Sequence, residues 1–146
     1  MVDNISAQKR SWTMRQVPSK DSAPEIVVRQ ALHAAGFRFR VHRKDLPGNP
    51  DLILPMYRLA VFVHGCFWHW HGCKRSRMPS ANREYWVRKI DRNVTRDAAN
   101  ERALRALGWQ ACIVWECELS EGIRKLLKRL RRRRRVLART IRDRNQ

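Results

Sequence analysis

Leu59-Ala-Val-Phe-Val63 is a run of five apolar residues with no polar position in it. A strand of that kind has no face to give to water, so it belongs at the centre of a sheet that is buried on both sides. His64 closes it. The chain before it supplies a helix and two strands. Ser22-Ala-Pro-Glu25 has the form of a capping box with proline in the first turn, and Ile26, Val27, Leu32 and Ala35 follow before Gly36. That pattern predicts a helix over about 23–35. Phe37 to Val41 alternates apolar and basic residues, which suits a half-exposed strand, and the Leu46-Pro-Gly-Asn-Pro50 turn then leads into a short strand starting at Asp51.

Beyond a loop dense in Cys, His and Trp, a long helix is predicted from about Asn82 to Leu107, broken near Asn93 and capped by Gly108. Trp109 to Trp115 reads as a strand. From Ser120 the pattern is helical through Leu130 and then runs into Arg131 to Arg135. Helix, three strands, long helix, strand and helix make a mixed α/β layer with helices on the sheet faces. With no repeat and no linker, residues 21–130 form a single domain between a basic arm at 1–20 and a polybasic tail at 131–146.

Charge narrows the partners. The chain of 146 residues holds 32 Lys and Arg against 13 Asp and Glu, a formal charge of +19, yet 43% of it is hydrophobic, including six tryptophans. It has the apolar mass to fold, and a surplus that size calls for a polyanion such as nucleic acid or an acidic membrane surface. Residues 124 to 146 carry 12 of the cations against one acid, and the body stays basic without them. Asp3, Lys9, Arg10 and Arg15 interrupt the first 20 positions, and the longest uncharged run, Leu59 to Cys73, is too short to span a bilayer. A cytosolic location is expected, where the four cysteines would be thiols or metal ligands rather than disulfides.

Cys66, His69, His71 and Cys73 lie within eight residues, and Cys117 follows a strand that could return it beside them. Four sulfur and nitrogen ligands are what a structural zinc ion takes. Spacing leaves open whether His69 or His71 joins the cysteines, and the bland alternative is buried thiols beside surface histidines. Cys112 fits that alternative. Asp51 follows Pro50 at a strand entrance, where one carboxylate with water and phosphate oxygens can suffice for Mg²⁺. An Asp beside a Pro-Gly turn can equally be a turn residue. Strand-ending His64 and nearby His69 favour the chemical reading, because phosphodiester hydrolysis needs charge stabilisation and a base near neutrality. Glu25 could orient water there, or only cap its helix.

Phe62-Val-His-Gly-Cys-Phe-Trp-His-Trp-His71 followed by Cys73 resembles the signature of the very short patch repair endonucleases. Supporting matches are Thr13-Met14-Arg15, Leu46-Pro-Gly-Asn-Pro-Asp51, Trp86 with Lys89-Ile90, Asn93, Arg96-Asp97, Gly108-Trp109 and Val114-Trp-Glu-Cys117. They extend over about residues 10 to 120. The resemblance implies a restriction-endonuclease-like α/β fold and a nick 5′ to the thymine of a T:G mismatch left by deamination of 5-methylcytosine. It implies Asp51 and the Val63 backbone carbonyl as Mg²⁺ ligands, His64 and His69 at the reacting phosphate, and Glu25 supporting water at the metal. Zinc would take Cys66, His71, Cys73 and Cys117. The implied partners are double-stranded DNA with a T:G mismatch and, through the lesion, a DNA cytosine methyltransferase. The implied setting is a monomer at the bacterial nucleoid. Val63 stands where the family often has Thr, and Trp70 interrupts what is often a run of histidines. The acidic-x-lysine pair of ordinary restriction nucleases is missing after the central strand.

A T:G wobble pair shifts its bases, so the stack beside it is cheaper to open than at a matched pair. Phe67, Trp68 and Trp86 are candidates to enter from the major groove, with Met14 and Val17 wedging from the opposite side. Trp86, Lys89 and Asn93 share a helix face, where a cation and an amide could meet guanine or phosphate and a base edge. Core packing for Trp86 and a solvated face for Lys89 and Asn93 are the alternatives. Arg131 to Arg135 would add sequence-independent phosphate attraction. Two rival functions share these features: a restriction-type nuclease of other specificity, and an inactive zinc-stabilised DNA-binding module.

Overall fold

The structure, a computed structural model, describes residues 21–146. It contains a four-stranded mixed sheet with β1 (Arg40–Val41), β2 (Leu52–Leu54), β3 (Leu59–His64) and β4 (Gln110–Trp115) in that spatial order. The first two pairings are antiparallel and β3–β4 is parallel, with Leu59 opposite Gln110 and His64 opposite Trp115. The apolar run thus occupies an interior strand, and Leu59, Ala60 and Val61 have no exposed surface.

Alternation along β3 divides its side chains between two cores. Leu59 and Val61 join Leu52, Leu54 and Val114 against α1 (Ala23–Ala34) and α3 (Leu119–Arg144), which contribute Val28, Leu32, Leu126 and Leu130. Ala60 joins Ile53 and Leu46 against Leu104 of α2 (Arg83–Ala106). Each fully buried Leu or Val stabilises the fold by about 1.5–3 kcal/mol. The result is a helix–sheet–helix arrangement of the restriction-endonuclease-like class. Gly122 lets α3 lie close on β4, since a Cβ there would sit 2.9 Å from Cγ1 of Val114. None of the described helices is long and apolar enough to cross a membrane.

Four local expectations are corrected. The strand expected over 37–41 is confined to Arg40–Val41, because Phe37 closes α1 instead: its N–H donates to the Leu32 carbonyl and its ring enters the core. The strand at Asp51 begins one residue later. No break occurs at Asn93. Its side chain bonds outward, to the Trp68 carbonyl and to Arg96, and so does not compete for the helix backbone. Residues from Arg131 are not a tail apart from the fold but continue α3 to Arg144. Arginine has high helix propensity, and Arg133 anchors the run by donating to the Tyr57 carbonyl while Arg134 sits over the Phe37 ring.

Candidate active site and metal centre

The C-terminal end of β3, the start of β2 and the first turn of α1 converge on a cleft of about 1130 Å³, lined by Glu25, Asn49, Asp51, His64, His69 and Asp97 among others. The Pro-Gly-Asn-Pro turn delivers Asp51 to it. Gly48 in that turn has φ +81°, and a Cβ would lie 3.1 Å from both Asn100 and the Phe62 ring, so no other residue fits without displacing the wall. Asp51 Oδ2 accepts the Val63 N–H at 2.6 Å. Burial pushes its carboxyl up from 3.8 to about 7; the Val63 bond opposes the rise, and the charge of Glu25 adds to it. Glu25 is buried and accepts the Asp21 N–H at 2.8 Å, while Arg29 reaches it at 3.4 Å. Ser22 Oγ accepts the Glu25 N–H, so the capping bond exists, but the reciprocal bond reaches Asp21 rather than Ser22. Two crowded carboxylates, one with an oxygen already oriented by a backbone donor, are a donor set suited to a hard divalent cation.

Beside them the His64 and His69 rings stack, centroids 3.6 Å apart and planes 5° from parallel. His64 is buried, its Nδ1 has no hydrogen-bond partner, and burial together with the neighbouring His69 lowers its pKa to about 4. It is therefore a neutral imidazole at pH 7. His69 Nδ1 lies 2.5 Å from Asp97 Oδ2. A carboxylate in that position fixes the tautomer with the proton on Nδ1 and leaves Nε2 as the open nitrogen. His64, His69 and Asp97 each bring a donor atom into one group within 4.8 Å, which could also hold an ion.

Asp97 is the functional neighbour that sequence reasoning assigned no role. The signal was its spacing: Asn93, Asp97 and Asn100 recur on one face of α2 and meet, in turn, Trp68, His69 and Gly48.

The second cluster gathers Cys66, His71, Cys73 and Cys117, whose ligand atoms lie within 4.8 Å of one another. His71 Nδ1 is 3.7 Å from Cys66 Sγ and 3.3 Å from Cys117 Sγ, and its Nε2 faces Glu118 at 3.3 Å. His69 falls in the other group. All four cysteines are free. Ser76, also unforeseen, buries its hydroxyl to donate to the Cys66 carbonyl at 2.8 Å and accept the Gly72 N–H. Three thiols and an imidazole at such separations could hold a metal ion, and the set suits tetrahedral coordination. Trp115 stands between the clusters. Its indole stacks on His71 at 4.1 Å and meets His64 edge-on at 5.2 Å.

Phe67 and Trp68 line the cleft and contact Trp86 at 5.6 and 6.0 Å between ring centroids. Trp86 is 7% exposed, so it backs the other two from the core. Lys89 caps Trp68 from 5.5 Å. Met14 and Val17 lie outside the described residues.

β3 ends in His64, whose ring stacks on His69 beside the partly buried Asp51 carboxylate, on a sheet of the restriction-endonuclease-like class. Residues 2–75 match the family model described as DNA mismatch endonuclease Vsr. The chain is 51% identical over 121 residues to the type II nicking enzyme V.XorIIP of Xanthomonas oryzae pv. oryzae, covering 83% of this chain and 89% of that protein. It is 41% identical over 119 residues to the DNA mismatch endonuclease Vsr of Escherichia coli K12, covering 82% and 76%. The type II nicking enzyme V.NmeAIP of Neisseria meningitidis serogroup A is 42% identical over 119 residues, covering 82% and 85%. The chain belongs to the Vsr DNA mismatch endonuclease family, and its class is endodeoxyribonuclease.

Proposed function

We propose that the protein nicks duplex DNA 5′ to the thymine of a T:G mismatch, initiating repair of deaminated 5-methylcytosine. What carries this reading is the convergence of Asp51, His64, His69 and Asp97 on one cleft in a chain of this family. Asp51 and the Val63 carbonyl would hold Mg²⁺, which supplies Lewis-acid stabilisation of charge on the phosphate. Cys66, His71, Cys73 and Cys117 would hold structural zinc.

The remaining chemistry falls to the chain's own groups. Asp97 keeps the proton on Nδ1 of His69, so Nε2 can accept a proton from the attacking water. His64, neutral and buried, faces the phosphate as a hydrogen-bonding partner. Glu25 orients water beside Asp51. The water oxygen forms a bond to phosphorus, the bond from phosphorus to the leaving sugar oxygen breaks, and that oxygen takes up a proton from solvent. Phe67 and Trp68, buttressed by Trp86, enter the stack at the mismatch, with Met14 and Val17 opposing them. Lys89 and Asn93 contact the DNA beside them. The partner is mismatched duplex DNA, with a cytosine methyltransferase as the source of the lesion. The protein acts as a monomer in the cytoplasm, at the nucleoid.

The test uses end-labelled duplexes with T:G or T:A at one position, with Mg²⁺ and with chelator. A nick confined to the T strand of the mismatched duplex, abolished by chelator, is expected. Cutting of the T:A duplex at equal rate would point to a restriction-type nuclease, and binding without cutting would point to a DNA-binding module.

A further inference from the structure

The solvent face of α3 carries a row of cations that the active site does not use. Arg124, Lys128, Arg131, Arg135, Arg139 and Arg142 follow one another at intervals of three or four residues, so they share one side of the helix, and all are exposed. The row spans 18 residue steps, about 27 Å at 1.5 Å per step. Arg124 pairs with Glu121, while Arg131, Arg135, Arg139 and Arg142 make no ion pair among the described residues. After Glu121 the only acid is Asp143. Like charges one turn apart oppose the helix they stand on, and a polyanion laid along the row removes that opposition.

The row is remote from the cleft. α3 begins beside Cys117 at the catalytic end of the sheet and runs back along β4. Arg129 reaches Gln110, at the opposite end of β4, and Arg133 reaches Tyr57, just before β3 begins. The helix then continues for eleven residues, about 16 Å, past the end of the sheet that lies farthest from His64.

The apolar side chains of this overhang lie off the row. Val136 and Leu137 line a groove against Met56 and Tyr57, on the side of the helix turned toward the body. An interfacial membrane helix rests its apolar face on lipid; Val136, Leu137 and Ile141 are 57, 38 and 55% exposed but lie on the side of α3 away from the cationic row, so lipid seated on them would leave the row unused. A second copy, itself carrying +19, is repelled.

We infer that the outer face of α3 is a second, non-catalytic binding surface for duplex DNA, which grips the phosphate backbone of a segment other than the one in the cleft. This rests on DNA being the substrate. Holding two segments would let the enzyme pass between stretches of duplex while searching.

The full chain is compared with a variant carrying Arg131→Gln, Arg135→Gln, Arg139→Gln and Arg142→Gln, whose helicity is checked by circular dichroism. Each protein is loaded with a short T:G duplex that only fills the cleft and offered an immobilised matched duplex. The parent is expected to capture the second duplex and the variant to lose capture. The slope of log affinity against log salt for matched duplex should fall by roughly 3 to 4, following about 0.9 per phosphate contact. Nicking of the short duplex should stay within about twofold, a difference too small to register as lost transition-state stabilisation. Equal capture or an unchanged slope in the variant overturns the inference, as does a parent that captures phosphatidylglycerol vesicles but no second duplex. Nicking is read separately: a parent that captures DNA without nicking leaves this surface standing and removes the mismatch reading, whereas nicking without capture removes this surface alone.

Discussion

Asp97 holds Nδ1 of His69 at 2.5 Å across a sequence separation of 28 residues, joining the second helix to the Cys- and His-rich loop. Asp97→Asn is isosteric but cannot hold the same tautomer. The expected outcome is a fall in kcat on the T:G duplex on the order of 10²-fold with little change in KM, since general acid–base groups contribute about 10²–10⁴. Single-turnover nicking measures it, and wild-type kcat in the variant would remove the dyad from the chemistry.

If Asp51 holds the divalent ion as proposed, ion affinity should depend on pH. Its carboxyl titrates near 7 in the folded, metal-free protein against 3.8 ordinarily, so an ion must displace a proton below that point. Mg²⁺ affinity should rise about tenfold per pH unit up to roughly 7 and then level off, as titration calorimetry can follow. The sign for stability is the reverse. A raised pKa contributes stability that is present below 3.8 and lost as pH rises through about 7. Metal-free Asp51→Asn should therefore melt above the parent at pH 8, and the gap should close on acidification.

The cysteine cluster predicts one tightly bound zinc per chain. Cys117→Ser should lower the melting temperature by on the order of 10 °C, while Cys112→Ser leaves metal content unchanged. Glu118→Gln, which removes the carboxylate facing His71 Nε2, should weaken metal affinity about 10–100-fold without abolishing it. Metal analysis by atomic emission with competing chelator separates the three.

The aromatic trio should divide its labour. Trp86→Ala empties a core position and should cost about 3–5 kcal/mol in denaturant unfolding. Trp68→Ala, at the cleft, should cost far less stability and instead reduce the preference for T:G over T:A duplexes. Equal stability losses for both would contradict that division.

Much of this was legible because local chemistry dictated it. Five consecutive apolar residues demanded an interior strand, and the Ser-Ala-Pro-Glu motif fixed where α1 starts. Clustered thiols and imidazoles announced a loop that gathers Cys66, His71, Cys73 and Cys117 into one group. Other features depend on what arrives from far along the chain. Spacing could not choose between His69 and His71, because the choice is made by Asp97 from α2 on one side and Cys117 from the end of β4 on the other. Ser76 looked like an ordinary loop serine until the loop folded over it. The arginine run read as a tail since its charge opposes packing, yet contacts with Tyr57 and Phe37 carry the helix through it.

Trp115 is a party wall, with the His71 imidazole flat against one side and the His64 imidazole edge-on from the other. Neither room can be remodelled without its neighbour hearing it. If the cysteine cluster holds zinc as proposed, stripping it would loosen His71 and, through the indole, His64, so a chelator that never touches the Asp51 position would still lower activity.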